Sequence, residues 1–218
     1  MLDRFDLIVF DWDGTLLDST AAIARSIQAA AADLGLPVPD FERASHVIGL
    51  GLRDALAHAV PDLDPASVAA FSERYRVHYL AAEERLDLFD GARELVDALR
   101  AQGVPLAIAT GKSRAGLARA LASTGFVGVF AATRCADQTR PKPHPAMLLE
   151  LADELMVETG RMLMIGDTTH DLQMANAACA YAVGLTHGAH RAAALRELAP
   201  LALFDSLREL AAWLLPPK

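Results

Sequence analysis

The chain has 218 residues, enough to bury one large core or a core with a smaller insert. Hydrophobic residues make up 53% of it and charged residues 22%, a balance that fits a soluble globular protein and excludes a disordered one. The formal net charge is −8 and there is no Lys/Arg-rich run, so no nucleic-acid partner is expected; an anionic ligand would need local cations, N–H groups or a metal.

The first apolar run, 7–10, predicts a short strand and is far too short for a signal peptide or a membrane span. No membrane partner and a cytoplasmic location are therefore expected. Directly after this strand stands Asp11-Trp12-Asp13-Gly14-Thr15. From about Ser19 to about Arg85 only helical patterns occur, over 21–34, 53–60 and 65–82, so the chain leaves the sheet and returns near Leu88. A helix over 92–102 stops at Gly103, a strand follows at 106–109, and a helix over 113–124 stops at Gly125. Further strands are predicted at 129–132, 162–165, 181–185 and, weakly, 201–204. A last helix begins at Asp205 or Ser206 and must stop before Pro216 and Pro217.

Continuous apolar runs are the mark of parallel strands buried on both faces. Their alternation with helices predicts an α/β fold: a doubly wound, Rossmann-like, mainly parallel sheet core with an inserted α-helical domain. The expected boundaries are 1–17 and 86–218 for the core and 18–85 for the insertion.

Ligands of open α/β sheets sit at the carboxyl ends of strands, and acids cluster at two such ends. Asp11 and Asp13 follow the first strand. Such a pair is costly to the fold without a cation or hydrogen bonds, although Asp and Gly are also ordinary turn residues. An EF-hand starting at Asp11 would need Gly and Glu where Leu16 and Ala22 stand, so that reading fails. Asp167 and Asp171 lie in Gly166-Asp167-Thr168-Thr169-His170-Asp171 after the run 162–165. Alone, Asp171 could be a helix N-terminal acid. Four acids after two strands suggest a hard-cation site suited to Mg2+.

Two other strand ends carry the opposite chemistry. Thr110-Gly111-Lys112-Ser113 offers a hydroxyl and helix N-terminal N–H groups to an anion. It is like a P-loop tail, but the first glycine of that motif would fall at Leu106. In Arg140-Pro141-Lys142-Pro143-His144-Pro145, the prolines stiffen the backbone around Lys142, which in isolation reads as a solvated lysine. Gly49 and Gly51 flank a turn in the insertion, with Arg53 beside it as a candidate for a substrate anion. His144, His170, His187 and His190 lack ligand spacing and read as surface or loop residues. Trp12 and Trp213 read as packing residues, and Cys135 and Cys179 suggest neither a disulfide framework nor a zinc site.

Taken in order, Asp11-Trp12-Asp13-Gly14-Thr15, Thr110, Lys142 and Gly166-Asp167-Thr168-Thr169-His170-Asp171 resemble the four motifs of the haloacid dehalogenase superfamily. In Ile48-Gly49-Leu50-Gly51-Leu52-Arg53 and in general layout the chain is most similar to the phosphoglycolate phosphatase-like branch. The resemblance implies that the insertion is a helical cap and that the protein is a phosphatase of small phosphorylated metabolites, phosphoglycolate first and sugar phosphates next. It implies Asp11 as nucleophile and Asp13 as acid/base. It implies Thr110, the Gly111 N–H and Lys142 as phosphoryl-binding groups. Mg2+ would be held by Asp11, the Asp13 backbone carbonyl and Asp167, with Asp171 bonding directly or through water. Dehalogenases of the superfamily lack an acid two residues after the nucleophile, so Asp13 favours phosphoryl transfer. Gly111 stands where an Asn is frequent, and Asp90-Gly91 replaces a common Pro-Gly. A phosphomutase would share these motifs; a non-enzymatic relative would ordinarily have lost one of Asp11, Asp13, Lys142 or Asp167.

Overall fold

The computed structural model describes residues 1–61 and 63–215. Six strands pair side by side and all in parallel: β1 (Leu7–Phe10), β2 (Leu106–Thr110), β3 (Ala132–Cys135), β4 (Met162–Gly166), β5 (Tyr181–Leu185) and β6 (Ala202–Phe204). Their spatial order is β3-β2-β1-β4-β5-β6, so the order of connection reverses at β1 and places β4 beside it. Such a reversal opens a crevice beyond the strands' carboxyl ends.

Each strand divides its side chains between two cores, because successive residues point to opposite faces. Ile8, Phe10, Leu106, Ile108, Leu163 and Ile165 join one core with Leu95 and Leu99 of α5 (Ala92–Ala101), Leu117 of α6 (Arg114–Thr124), and Leu210 and Leu214 of α10 (Leu207–Leu214). Leu7, Val9, Ala107, Ala109, Met162 and Met164 join the other. Their partners there are Leu148 and Leu151 of α7 (Ala146–Leu155), Leu172 of α8 (Thr169–Ala177), and Leu195 of α9 (Ala192–Glu197). Strands sandwiched in this way need apolar residues at every position, which is why β1, β2, β4 and β5 show as unbroken runs in the sequence.

The third strand departs from expectation. The run 129–132 is not the strand; the ladder begins at Ala132, paired with Ala107, and runs to Cys135. Val129 closes a turn by donating its N–H to the Phe126 carbonyl, while Phe126 and Phe130 pack edge-on against Trp12. The apolar signal there belongs to a loop that covers the core. The strand itself lies at the sheet edge, where Thr133 and Arg134 can be half-buried, and so it lacks a hydrophobic run.

Between β1 and α5 the chain forms α1 (Thr20–Asp33), α2 (Phe41–His46), α3 (Leu52–Ala59) and α4 (Val68–Glu83). These helices bury a cluster of their own around Ile23, Ile27, Leu56 and Phe71. The outgoing and returning segments run together: Asp18 N–H donates to the Asp87 carbonyl at 3.0 Å, and Phe89 N–H to the Leu16 carbonyl at 2.9 Å. Among the described residues, no helix is long and apolar enough to cross a membrane.

Candidate active site

The carboxyl ends of β1 and β4 bring three acids together. Asp11, Asp167 and Asp171 are each fully buried, and one oxygen from each lies within 4.8 Å of the others. Local chemistry fixes two of them. Thr15 Oγ1 donates to Asp167 Oδ1 at 2.7 Å, and the Ala189 N–H donates to Oδ2 at 2.7 Å. Asp171 closes a capping box on α8: its Oδ2 accepts from the Thr168 N–H at 3.1 Å and from Thr168 Oγ1 at 2.7 Å. Glycines make room for these groups. A β-carbon at Gly188 would lie 2.1 Å from Asp167 Oδ2, and one at Gly166 2.3 Å from Asp171 Cγ.

Lys142 reaches the same point from the loop after β3. Its Nζ lies 2.7 Å from Asp11 Oδ1 and 2.6 Å from Asp171 Oδ1, and the residue is 1% exposed. The solvated lysine suggested by this segment alone is thus a buried one. Burial pushes the Asp11 carboxyl well above its usual range; Lys142 opposes this, while Asp171 and Asp167 add to it. Burial likewise lifts Asp167 to about 7, with Asp171 contributing. Burial would lower the Lys142 ammonium, but the attraction of Asp11 and Asp171 outweighs it and the pKa rises.

Ionising all three carboxylates against one ammonium would leave two net negative charges in a buried site. Asp11 Oδ1 and Asp171 Oδ1 meet no donor but the shared Lys142 ammonium, and no described residue donates to Asp11 Oδ2. Charged oxygens in that condition are expensive to bury. The donor set, all hard oxygen, is the kind that suits a divalent cation such as Mg2+. The Asp13 side chain stands apart from this cluster. Its Oδ1 accepts from Ser19 Oγ at 2.7 Å and from Lys112 Nζ at 3.0 Å, and its carboxylate is not among the three that converge.

A cavity of about 740 Å³ opens in front of Asp11 and Asp13, between the sheet edge and the insertion. Thr110, which is fully buried, and Gly111 line its floor; Ile23, Ile27, Leu50 and Tyr75 line its roof. Arg53 also lines it, with its side chain exposed. The insertion sits directly on the core here. A β-carbon on Gly111 would fall 2.5 Å from the Leu50 carbonyl oxygen and 2.6 Å from that of Gly49. Arg119 of α6 pairs with Glu83 of α4 at 3.1 Å across the same seam.

The reading of four histidines as surface or loop residues is corrected for two. His170 and His190 are 9% and 4% exposed. Their Nε2 atoms converge on the His46 carbonyl at the end of α2, at 3.1 and 2.9 Å. His190 Nδ1 accepts from the Thr169 N–H at 3.0 Å, which fixes the proton on Nε2 as the donor. Burial lowers both imidazoles, His190 to about 4, so they are neutral at pH 7. This contact joins segments far apart in the chain, and spacing carried no sign of it.

Sequence reasoning also missed Tyr79 and the side chain of Lys112. Lys112 belongs to the motif after β2, where only its backbone drew notice. Tyr79 lies within an ordinary helical pattern and has no local signature.

A family model described as haloacid dehalogenase-like hydrolase matches residues 5–178. Among relatives, a probable phosphatase, IndB, of Dickeya dadantii is 34% identical, over 94% of this chain and 91% of its own. A phosphoglycolate phosphatase of Aliivibrio fischeri is 30% identical over 97% of both chains. Among solved structures, a predicted phosphoglycolate phosphatase from Haemophilus somnus superposes with a TM-score of 0.85 and 27% identity, covering 96% of this chain and 98% of that one. A hydrolase from Deinococcus radiodurans, solved with bound phosphate and sodium, has a TM-score of 0.75 and 29% identity over 99% of both chains.

Proposed function

The chain belongs to the haloacid dehalogenase-like hydrolases and is a phosphatase; from that premise we propose that it hydrolyses small phosphate monoesters with Mg2+, through an aspartyl-phosphate on Asp11. The observation that carries this reading is the buried cluster of Asp11, Asp167 and Asp171 around the single ammonium of Lys142, three carboxylates whose full ionisation a divalent cation would offset. Asp11, Asp167, Asp171 and the Asp13 backbone carbonyl are the groups that would hold it. When bound, Mg2+ supplies charge neutralisation to an anionic nucleophile and a dianionic substrate.

The remaining chemistry belongs to the chain. A carboxylate oxygen of Asp11 attacks phosphorus in line, and the bond to the leaving oxygen breaks with its electron pair on that oxygen. Asp13, on the cavity side, delivers a proton to it. Water then attacks the phosphoryl group and Asp13 takes its proton. The bond to Asp11 breaks, and phosphate leaves with Asp11 restored. Thr110, the Gly111 N–H and Lys142 hold the phosphoryl oxygens as charge shifts among them.

Residues 18–85 act as a cap, with 1–17 and 86–218 as the catalytic core. The paired strands of chain at 16–18 and 87–89 are the natural hinge, and closure shields the phosphoryl group from bulk water. Phosphoglycolate is the first substrate to test, because relatives of similar length carry that activity in their names. Sugar phosphates come next, since the cavity holds more than a two-carbon acid needs. The test is phosphate release from a panel of phosphorylated metabolites. Turnover that requires Mg2+ and stops with chelator supports the proposal; full turnover in protein shown to be metal-free contradicts it.

A further inference from the structure

Two donors, one at the entry to the insertion and one in the loop after β2, grip a single oxygen of Asp13. They are Ser19 Oγ and Lys112 Nζ, and both reach Oδ1. No described residue donates to Oδ2, and Asp13 lines the cavity. Fixing one carboxylate oxygen with two donors sets the plane of the group and leaves the other oxygen aimed. Proton transfer needs such aim, because donor and acceptor must approach to about 2.6–3.2 Å.

Lys112 is in turn gripped by the insertion. Its Nζ donates to the Tyr79 hydroxyl at 2.7 Å and lies 4.6 Å from the Tyr79 ring centroid. The lysine side chain is only 7% exposed, so Tyr79 and Asp13 provide most of what its ammonium has lost in water. Tyr79 is itself buried on α4, and burial pushes its phenol well up, so it meets the ammonium as a neutral hydroxyl. An ammonium on a flexible four-carbon stem has no fixed direction without such a partner. Tyr79 belongs to the insertion, whereas Lys112 and Asp13 belong to the core, so the chain of contacts is complete only when the two are seated together.

We propose that Tyr79 and Lys112 are positioning residues that aim Asp13 at the leaving oxygen once the helical insertion closes. The inference rests on the phosphatase reading above. It predicts dependence on the leaving group, which a structural role would not produce. An alkoxide needs a proton as it departs; p-nitrophenolate does not.

The experiment compares kcat/KM for p-nitrophenyl phosphate, glycerol 2-phosphate and phosphoglycolate, with Mg2+, in wild type, Lys112→Met and Tyr79→Phe. Melting curves accompany each protein. Lys112→Met should lose about 100-fold on glycerol 2-phosphate and less than about 3-fold on p-nitrophenyl phosphate, with KM nearly constant. Tyr79→Phe keeps the ring and loses only the hydroxyl; it should show the same pattern at about 10-fold. Equal losses on all three substrates would overturn the proposal. So would a KM increase confined to phosphoglycolate, which would make Lys112 a ligand of the substrate carboxylate. A Tyr79→Phe protein indistinguishable from wild type would remove Tyr79 from the account. Hydrolysis of none of the three by wild type would instead defeat the phosphatase reading, and this inference with it.

Discussion

Gly111→Ala isolates the contact between the insertion and the core. Alanine keeps the backbone N–H assigned to the phosphoryl group and adds only one methyl. That methyl would stand 2.5 Å from the Leu50 carbonyl oxygen and 2.6 Å from that of Gly49, where ordinary contact begins at 3.4 Å. The turn must therefore withdraw by about 0.9 Å, taking the difference between 3.4 and 2.5 Å. Both obstacles are backbone, and the turn is held on its other sides: a β-carbon on Gly49 would meet Thr168 Oγ1 at 3.2 Å, and one on Gly51 would meet Pro141 at 3.4 Å. No side chain can swing away to absorb the clash. Overpacking of this kind costs ~1–3 kcal/mol, charged here to the closed arrangement alone. The closed-to-open ratio should fall by about 5- to 150-fold. Steady-state kinetics on p-nitrophenyl phosphate should show kcat/KM reduced at least about fivefold. The melting temperature should stay within about 2 °C, because core and insertion keep their separate hydrophobic clusters. Wild-type kcat/KM in Gly111→Ala would refute the view that this seam must close for turnover.

Three further outcomes are expected. Gly188→Ala pushes a methyl into Asp167 and should weaken Mg2+ binding by about 10- to 100-fold, measured by calorimetry on the resting protein; unchanged affinity would remove Asp167 from the metal site. Arg53→Ala should lower kcat/KM for the preferred metabolite by about 10-fold, since this arginine is exposed on the cavity wall, and should leave p-nitrophenyl phosphate almost unaffected; equal losses on both would mean that it does not read the leaving group. At pH 8, iodoacetamide should label exposed Cys179 and spare Cys135, whose thiol is buried and pushed up to about 11; equal labelling in the folded protein, resolved by peptide mass spectrometry, would contradict that placement.

The sequence revealed most where local physics decides structure. Leu7–Phe10 and Tyr181–Leu185 are flanked by other strands and covered on both faces, so their bounds follow from hydrophobicity alone. Asp11 and Asp167 stand out because acids rarely follow such strands without a task. Edge strand β3 escaped because its half-buried positions tolerate Thr133 and Arg134, while the neighbouring apolar run serves the packing of Trp12. Partners that meet only through the tertiary fold escaped as well. Lys112 and Asp13 are 99 positions apart and Lys112 and Tyr79 are 33 apart, separations that no helical or strand period encodes. His170 and His190 read as surface residues because their burial comes from the seating of α2 on the core.

The central claim is that Asp11 carries the phosphoryl group. Acid quenching of the protein during turnover of p-nitrophenyl phosphate with Mg2+, followed by peptide mass spectrometry, tests it most directly. The account predicts one added phosphoryl group on the peptide containing Asp11. It predicts none in Asp11→Asn, which should melt like wild type and release no phosphate, because an amide cannot replace the carboxylate as nucleophile. A phosphoryl group mapped to another residue, or near-normal turnover by folded Asp11→Asn, would contradict it.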